Sequence, residues 1–170
     1  MPIFYMICGI PASGKSTVAQ EIASAENAVI ISSDEIRREL YKRKMYNRNQ
    51  NEETFKLLRS RLTETFSSGK NIVIDAINRR KSERKQYAER AKKKGYYTIC
   101  VYCKKDSGYA LYANRMRNGA KRVPDKVVLK NHQLFVPPDE SEGWDEIRIN
   151  DGNKYSIEVE HQKSKHDIKN

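Results

Sequence analysis

The stretch Gly9–Ser16, GIPASGKS, has the residue types and the spacing of a phosphate cradle. It fits G-x-x-x-x-G-K-[ST], and it lies between an apolar run, IFYMIC, and a helix-like run, KSTVAQEIA. Gly9 and Gly14 let the loop through Ile10, Pro11, Ala12 and Ser13 curl until its available N–H groups point inward at phosphate oxygens. A helix opening at Lys15, Ser16 and Thr17 adds the partial positive charge of its N-terminus at the same point. Lys15 is suited to bridge β- and γ-phosphates, and the Ser16 hydroxyl to ligate Mg²⁺. Residues 9–17 are therefore expected to bind ATP or another nucleoside triphosphate with Mg²⁺. Such a loop holds a triphosphate without saying what becomes of it.

A second constellation addresses that question. In SSDEIRREL, Ser32–Leu40, Asp34 stands where the apolar run AVIIS gives way to a helical pattern. Ligands of open parallel sheets bind beyond the C-terminal ends of the strands, so Asp34 is expected to face the same crevice as the loop. A carboxylate there can accept a proton from an attacking hydroxyl or orient it. Arg37, one turn later on the same helical face, suits a second anionic group on the acceptor. Ser32 and Glu35 also make an S-x-x-E capping box, and capping is compatible with catalysis. The run NIVIDAIN brings Asp75 and Asn78 to the same sheet edge as expected substrate contacts, with Asp75 serving Mg²⁺ through water, the acceptor, or a structural hydrogen bond.

Two basic stretches follow. Arg79–Lys94 holds nine basic residues and two acidic ones, the pattern of a solvated helix face. Arg84, on its early turns, is expected near the crevice as a substrate contact. In Asn114–Val128, Arg115, Arg117, Lys121 and Arg122 surround a glycine, and Pro124 opens another helix. A mobile arginine-rich segment between two helices suits a lid over a triphosphate, since guanidinium groups stabilise charge on a transferring phosphoryl group. Spacing does not distinguish which arginine touches phosphate.

The elements that must position these residues alternate. Apolar runs at 3–8, 28–32, 71–75, 97–103 and 146–150 read as strands buried on both faces. Helical patterns lie near 15–25, 34–44, 51–68, 79–94, 106–118 and 124–135. This alternation predicts an α/β fold with a central parallel sheet of about five strands. Residues 1–150 are expected to form one domain, with 106–135 as its lid region. After a turn at DGN, residues 151–170 read as a hairpin and a polar, partly mobile tail.

Composition narrows the partners. The 33 Lys and Arg residues exceed the 22 Asp and Glu by 11, a charge that favours a polyanion such as nucleic acid. No apolar run is long enough for a membrane helix, and the apolar N-terminus reads as a core strand, not a signal peptide. Three cysteines, Cys8, Cys100 and Cys103, suit a reducing cytoplasm, and the C-x-x-C pair lies in a strand, where packing is expected of it. The histidines show no metal-ligand spacing.

GIPASGKS, SSDEIR, IVIDAIN and RVPDKVV together, in this order and spacing, resemble the P-loop polynucleotide kinases, the 5′-hydroxyl kinases of phage and bacterial end-healing systems. The resemblance covers about residues 3–150. It implies a three-layer P-loop kinase fold with a helical lid, and a cytoplasmic enzyme, or one of the host cytoplasm if phage-encoded. It also implies Lys15 and Ser16 on ATP and Mg²⁺, Asp34 as general base, Arg37 on a phosphate of the acceptor, Arg122 as a lid arginine and Arg115 or Arg117 as a second. The family commonly has D-x-T-N where this chain has DAIN, so Ile77 replaces a hydroxyl. The leading expectation is transfer of the γ-phosphate of ATP to a nucleic-acid hydroxyl, most simply a 5′-OH end. The alternatives are a kinase of a small molecule, a nucleotide or a hydroxymethylated base in DNA, and a nucleic-acid-binding ATPase or switch.

Overall fold

The computed structural model describes residues 1–42 and 47–152, and the backbone of 158–160. Its strands are β1 (Ile3–Cys8), β2 (Val29–Ser32), β3 (Ile72–Asp75), β4 (Tyr97–Cys103), β5 (Glu146–Asn150) and β6 (Glu158–Glu160). They form one sheet in the order β2-β3-β1-β4-β5-β6. The first five run parallel, and β6 adds an antiparallel edge in which Arg148 pairs with Val159. The helices are α1 (Lys15–Glu26), α2 (Ser33–Leu40), α3 (Arg48–Phe66), α4 (Lys81–Lys93), α5 (Ser107–Arg115) and α6 (Asp125–Leu134). No helix among the described residues is long and apolar enough to cross a membrane. The tail at 161–170, expected from the sequence, lies outside the described residues.

Strand β1 is central, and its alternation divides the core. Phe4, Met6 and Cys8 join a cluster with Leu58, Leu62 and Phe66 of α3 and Ala88 and Ala91 of α4. Tyr5 and Ile7 face the other way, packing with Val73, Val101 and Ala19 of α1. Helices therefore cover both faces of the sheet, which is why its strands are apolar throughout. Cys100 lies buried opposite Met6, with its Sγ 3.8 Å from that of Cys8. Burial raises the Cys103 thiol to about 12, so it stays protonated and unreactive. The C-x-x-C pair is core, as its strand context predicts.

Three helix ends depart from the periodicity by three residues or more, among them that of α5, which stops at Arg115 instead of 118. The pattern at 34–44 predicts a longer helix than α2, which stops at Leu40 when Tyr41 turns extended (φ −135°, ψ 130°). There the Tyr41 hydroxyl is hydrogen-bonded to Glu53 of α3. Helix α3 begins earlier than predicted because Asn47 caps it, its side chain accepting from Gln50 N at 2.9 Å.

Leu62 is fully buried between α3 and the sheet. Leu62→Ala should cost about 2–5 kcal/mol through lost burial and a cavity, read from the urea midpoint at unchanged slope.

Candidate active site

The loop after β1 is shaped by one close passage. A side chain at Gly9 (φ +153°) would place its Cβ 2.6 Å from Ser13 Oγ and 2.7 Å from the Cys103 carbonyl oxygen. Only glycine fits there. Gly9 N donates to Ile77 O at 3.1 Å, tying the loop's root to the turn after β3. The loop closes through Ser13 N on Ile10 O at 3.2 Å, and Gly14, left-handed at φ +88°, opens α1. Ala12 is left-handed too, at φ +63°, a conformation that costs a non-glycine residue on the order of 1–3 kcal/mol.

Lys15 heads α1 with its ammonium buried. Nζ donates to Ile10 O at 2.8 Å, across the loop it belongs to. Burial lowers its pKa, and the nearby charges of Asp75 and Asp34 offset part of that effect. Ser13 Oγ is buried without a hydrogen-bond partner among the described residues, a polar atom inside the cradle that a phosphate oxygen would satisfy. Ile10, Pro11 and Ala12 form the buried wall of the loop, while Gly14, Ser16 and Thr17 remain exposed at its mouth.

Ser16 Oγ donates to Asp75 Oδ2 at 2.8 Å. Burial raises the Asp75 pKa, the Ser16 hydrogen bond and Lys15 lower it, and Asp34 raises it again. These two adjacent hard oxygen donors fit Mg²⁺, which takes oxygen ligands and keeps several waters. Asp75 is placed by strand pairing: β3 lies between β1 and β2, with Ile7 and Ser32 as its register partners. The same register puts Asp34, two residues past Ser32 and exposed, at the shared C-terminal edge. Ser32 caps α2, its side chain accepting from Glu35 N at a long 3.5 Å. Arg37 is buried, and its Nη2 donates to Asn51 of α3 at 2.8 Å.

Two expected substrate contacts are committed elsewhere. Asn78, left-handed at φ +49°, donates from Nδ2 to Ile7 O at 2.8 Å and so fastens the ends of β1 and β3 together. Arg84 does not face the crevice. It is fully buried, with Nε and Nη2 on Glu142 at 2.9 and 2.6 Å and Nη1 on Asn78 O at 2.8 Å. Its place on the first turns of α4 turned it into the core instead of toward a ligand. The sequence offers no marker for Glu142 or for Asn51 as partners, since each is polar and distant along the chain.

The arginine-rich segment stands over the loop's apolar shoulder. Ile10 packs against Ala110 of α5 and Val123 and Val128 around α6. Buried Asn114 closes the segment's base, donating to Val123 O at 2.7 Å and accepting from Val123 N at 3.1 Å. Arg115 is held by Asp125 at 3.0 Å. Arg117 donates to Lys121 O at 3.4 Å, and its charge is felt at Lys15. Arg122 is exposed on the same segment.

A family model described as an AAA domain matches residues 4–138. No curated protein matches the chain. Among solved structures, a candidate kinase from Chloroflexus aurantiacus is similar at 15% identity and TM-score 0.66, over 81% of this chain and 79% of that one. A gluconokinase from Sinorhizobium meliloti is similar at 16% identity and TM-score 0.62, over 89% and 85%. A chain of the Pnkp1/Rnl/Hen1 RNA repair complex is similar at 18% identity and TM-score 0.67, over 78% of this chain and 43% of that one. The present chain thus spans less than half of that repair protein's chain, and at these identities the likeness is one of fold.

Burial holds Lys15 below its ordinary value, so the unfolded chain binds this proton more tightly than the folded one. The ammonium therefore costs stability at neutral pH, and the cost fades as pH rises toward the unfolded lysine value. Lys15→Met should raise the urea midpoint at pH 7 relative to the parent chain, with the gap narrowing toward about pH 10, while nucleotide affinity is lost. An equal or lower midpoint at pH 7 would show that the ammonium is net stabilising.

Proposed function

The chain belongs to the AAA domain family, and within it we propose that this P-loop kinase-like domain transfers the γ-phosphate of ATP to a nucleic-acid hydroxyl, most simply a 5′-OH end. One observation carries the reading: Asp34 stands in the first turn of α2, just past the end of β2 and at the sheet edge where Ser16 and Asp75 meet, and its charge is felt by both Lys15 and Asp75. A loop that only held a triphosphate would need no carboxylate at that edge, whereas a nucleophile attacking the γ-phosphate is served by one.

In this reading the acceptor hydroxyl gives its proton to the Asp34 carboxylate as its oxygen attacks the γ-phosphorus. The new O–P bond forms as the bond to the β-phosphate oxygen breaks, and ADP leaves with that electron pair. Lys15 stabilises negative charge on the transferring group, helped by the arginines of the 115–122 segment. Arg122, exposed on that segment, is the lid arginine of this reading, with Arg117, whose charge reaches Lys15, as the second; Arg115 is engaged with Asp125. Ser16 and Asp75 would hold Mg²⁺, which neutralises charge on the β- and γ-phosphates when bound. Arg37, steadied by Asn51, grips a phosphate of the acceptor. The net charge of +11 supports a polymeric acceptor over a neutral metabolite, and the fold likeness to an RNA repair protein agrees with it. A small-molecule acceptor is the second reading, supported by the burial of Arg37, which leaves it little surface for a strand, and by the fold likeness to a gluconokinase.

Transfer of labelled γ-phosphate from ATP to 5′-OH DNA and RNA oligonucleotides, nucleosides and sugars separates the two. Label confined to the oligonucleotide 5′ end is expected, and label on small acceptors alone would overturn the polymer reading. Asp34→Ala should lower kcat by about 10²–10⁴ with ATP affinity unchanged. Retained transfer would remove Asp34 as the base.

A further inference from the structure

The buried Arg84–Glu142 pair touches none of the groups assigned to the reaction, yet it joins two elements that must stay in register. Both side chains are fully buried. Glu142 also accepts from Trp144 Nε1 at 2.9 Å, so its carboxylate is held from two sides. A buried ion pair is a poor source of stability, because desolvation offsets most of the attraction, and well-packed apolar residues often serve as well. Its worth here lies in what it fixes.

On one side the pair reaches the phosphate loop. Arg84 Nη1 holds the carbonyl of Asn78, whose left-handed backbone and Nδ2 bond to Ile7 O brace the end of β1. One residue earlier, Ile77 O receives Gly9 N. On the other side it reaches the arginine segment. The Arg84 guanidinium lies 5.8 Å from the ring centroid of Phe135, which ends α6 and stacks on Tyr102. Beside it, Val136 N donates to Arg79 O at 3.1 Å and Arg79 Nη1 to Asn131 at 2.9 Å. Helix α6 is the far support of the 115–124 segment, so one cluster anchors that support and the root of the phosphate loop together.

We propose that Arg84 and Glu142 are positioning residues: their ion pair sets the arginine-bearing segment at the height over the phosphate loop that phosphoryl transfer requires. This rests on the kinase reading of the site. The planar guanidinium holds both Glu142 oxygens and the Asn78 carbonyl in one fixed geometry, which a lysine's single ammonium does not reproduce.

The test is the double variant Arg84→Met/Glu142→Gln. It removes both charges together and leaves an amide oxygen to accept from Trp144 Nε1, so neither ion is stranded. Two readouts are taken on the full chain beside its urea midpoint. One is protection by a non-hydrolysable ATP analogue against trypsin, which cleaves after Arg115, Arg117, Lys121 and Arg122. The other is kcat for transfer. Expected are a folded protein, loss of nucleotide-dependent protection, and a fall in kcat of about 10²-fold, the effect of a displacement of about 1 Å at a distance from the chemistry. Arg84→Lys, which keeps the charge and loses the fork, should move both readouts the same way and serves if the double variant does not fold. A folded variant with full protection and kcat within about twofold of the parent chain overturns the proposal. So does a parent chain whose segment the nucleotide fails to protect. A parent chain that is protected yet labels no acceptor refutes the kinase reading instead, and the protection readout alone then decides the positioning role.

Discussion

The site depends on one steric constraint, the passage of the Gly9 backbone between Ser13 Oγ and the Cys103 carbonyl. No side chain fits in that gap. The passage lets the chain leave the end of β1, turn back and start α1 within a few residues, so the loop is drawn tight over the sheet edge. The central position of β1 makes this useful. With β3 on one side and β4 on the other, the loop's root bonds to the turn after β3 and rests against the end of β4. Asp75 and Asp34 then arrive at the same edge from adjacent strands.

Much of what surrounds that edge is unfavourable on its own. Lys15 and Asp75 are charged groups under burial that disfavours their charge. Ala12 and Asn78 sit in left-handed conformations, and Ser13 Oγ lacks a partner among the described residues. Such features persist when the surroundings over-determine them, and here the two apolar clusters on either face of the sheet supply the stability. A buried cation and a buried hydroxyl beside it both gain from contact with a phosphate, which is the electrostatic arrangement of an anion site.

Arg84 shows how a correct element can carry an incorrect inference. The basic run at 79–94 does form a helix, and most of its charges face solvent. The place of Arg84 near the start of that helix predicts a crevice residue. Its direction was settled by Glu142, far along the chain, and by the carbonyl of Asn78. Arg37 was likewise legible as a basic residue one turn after Asp34, but its partner Asn51 comes from a helix whose packing on α2 no periodicity predicts.

By itself the sequence determined the local chemistry: the glycines, lysine and serine of the loop, strands with continuous apolar runs, an acid at the end of each of two of them, and a basic surplus. These are legible because they depend on residue type and on neighbours a few positions away. Only the tertiary structure decided the strand order that brings Asp34 to Ser16 and Asp75, the burial that lowers Lys15 and raises Asp75, the early stop of α2 at Tyr41, and the turning of Arg84 into the core. Those outcomes arise from contacts between segments distant along the chain, whose energies depend on geometry that no short stretch of sequence contains.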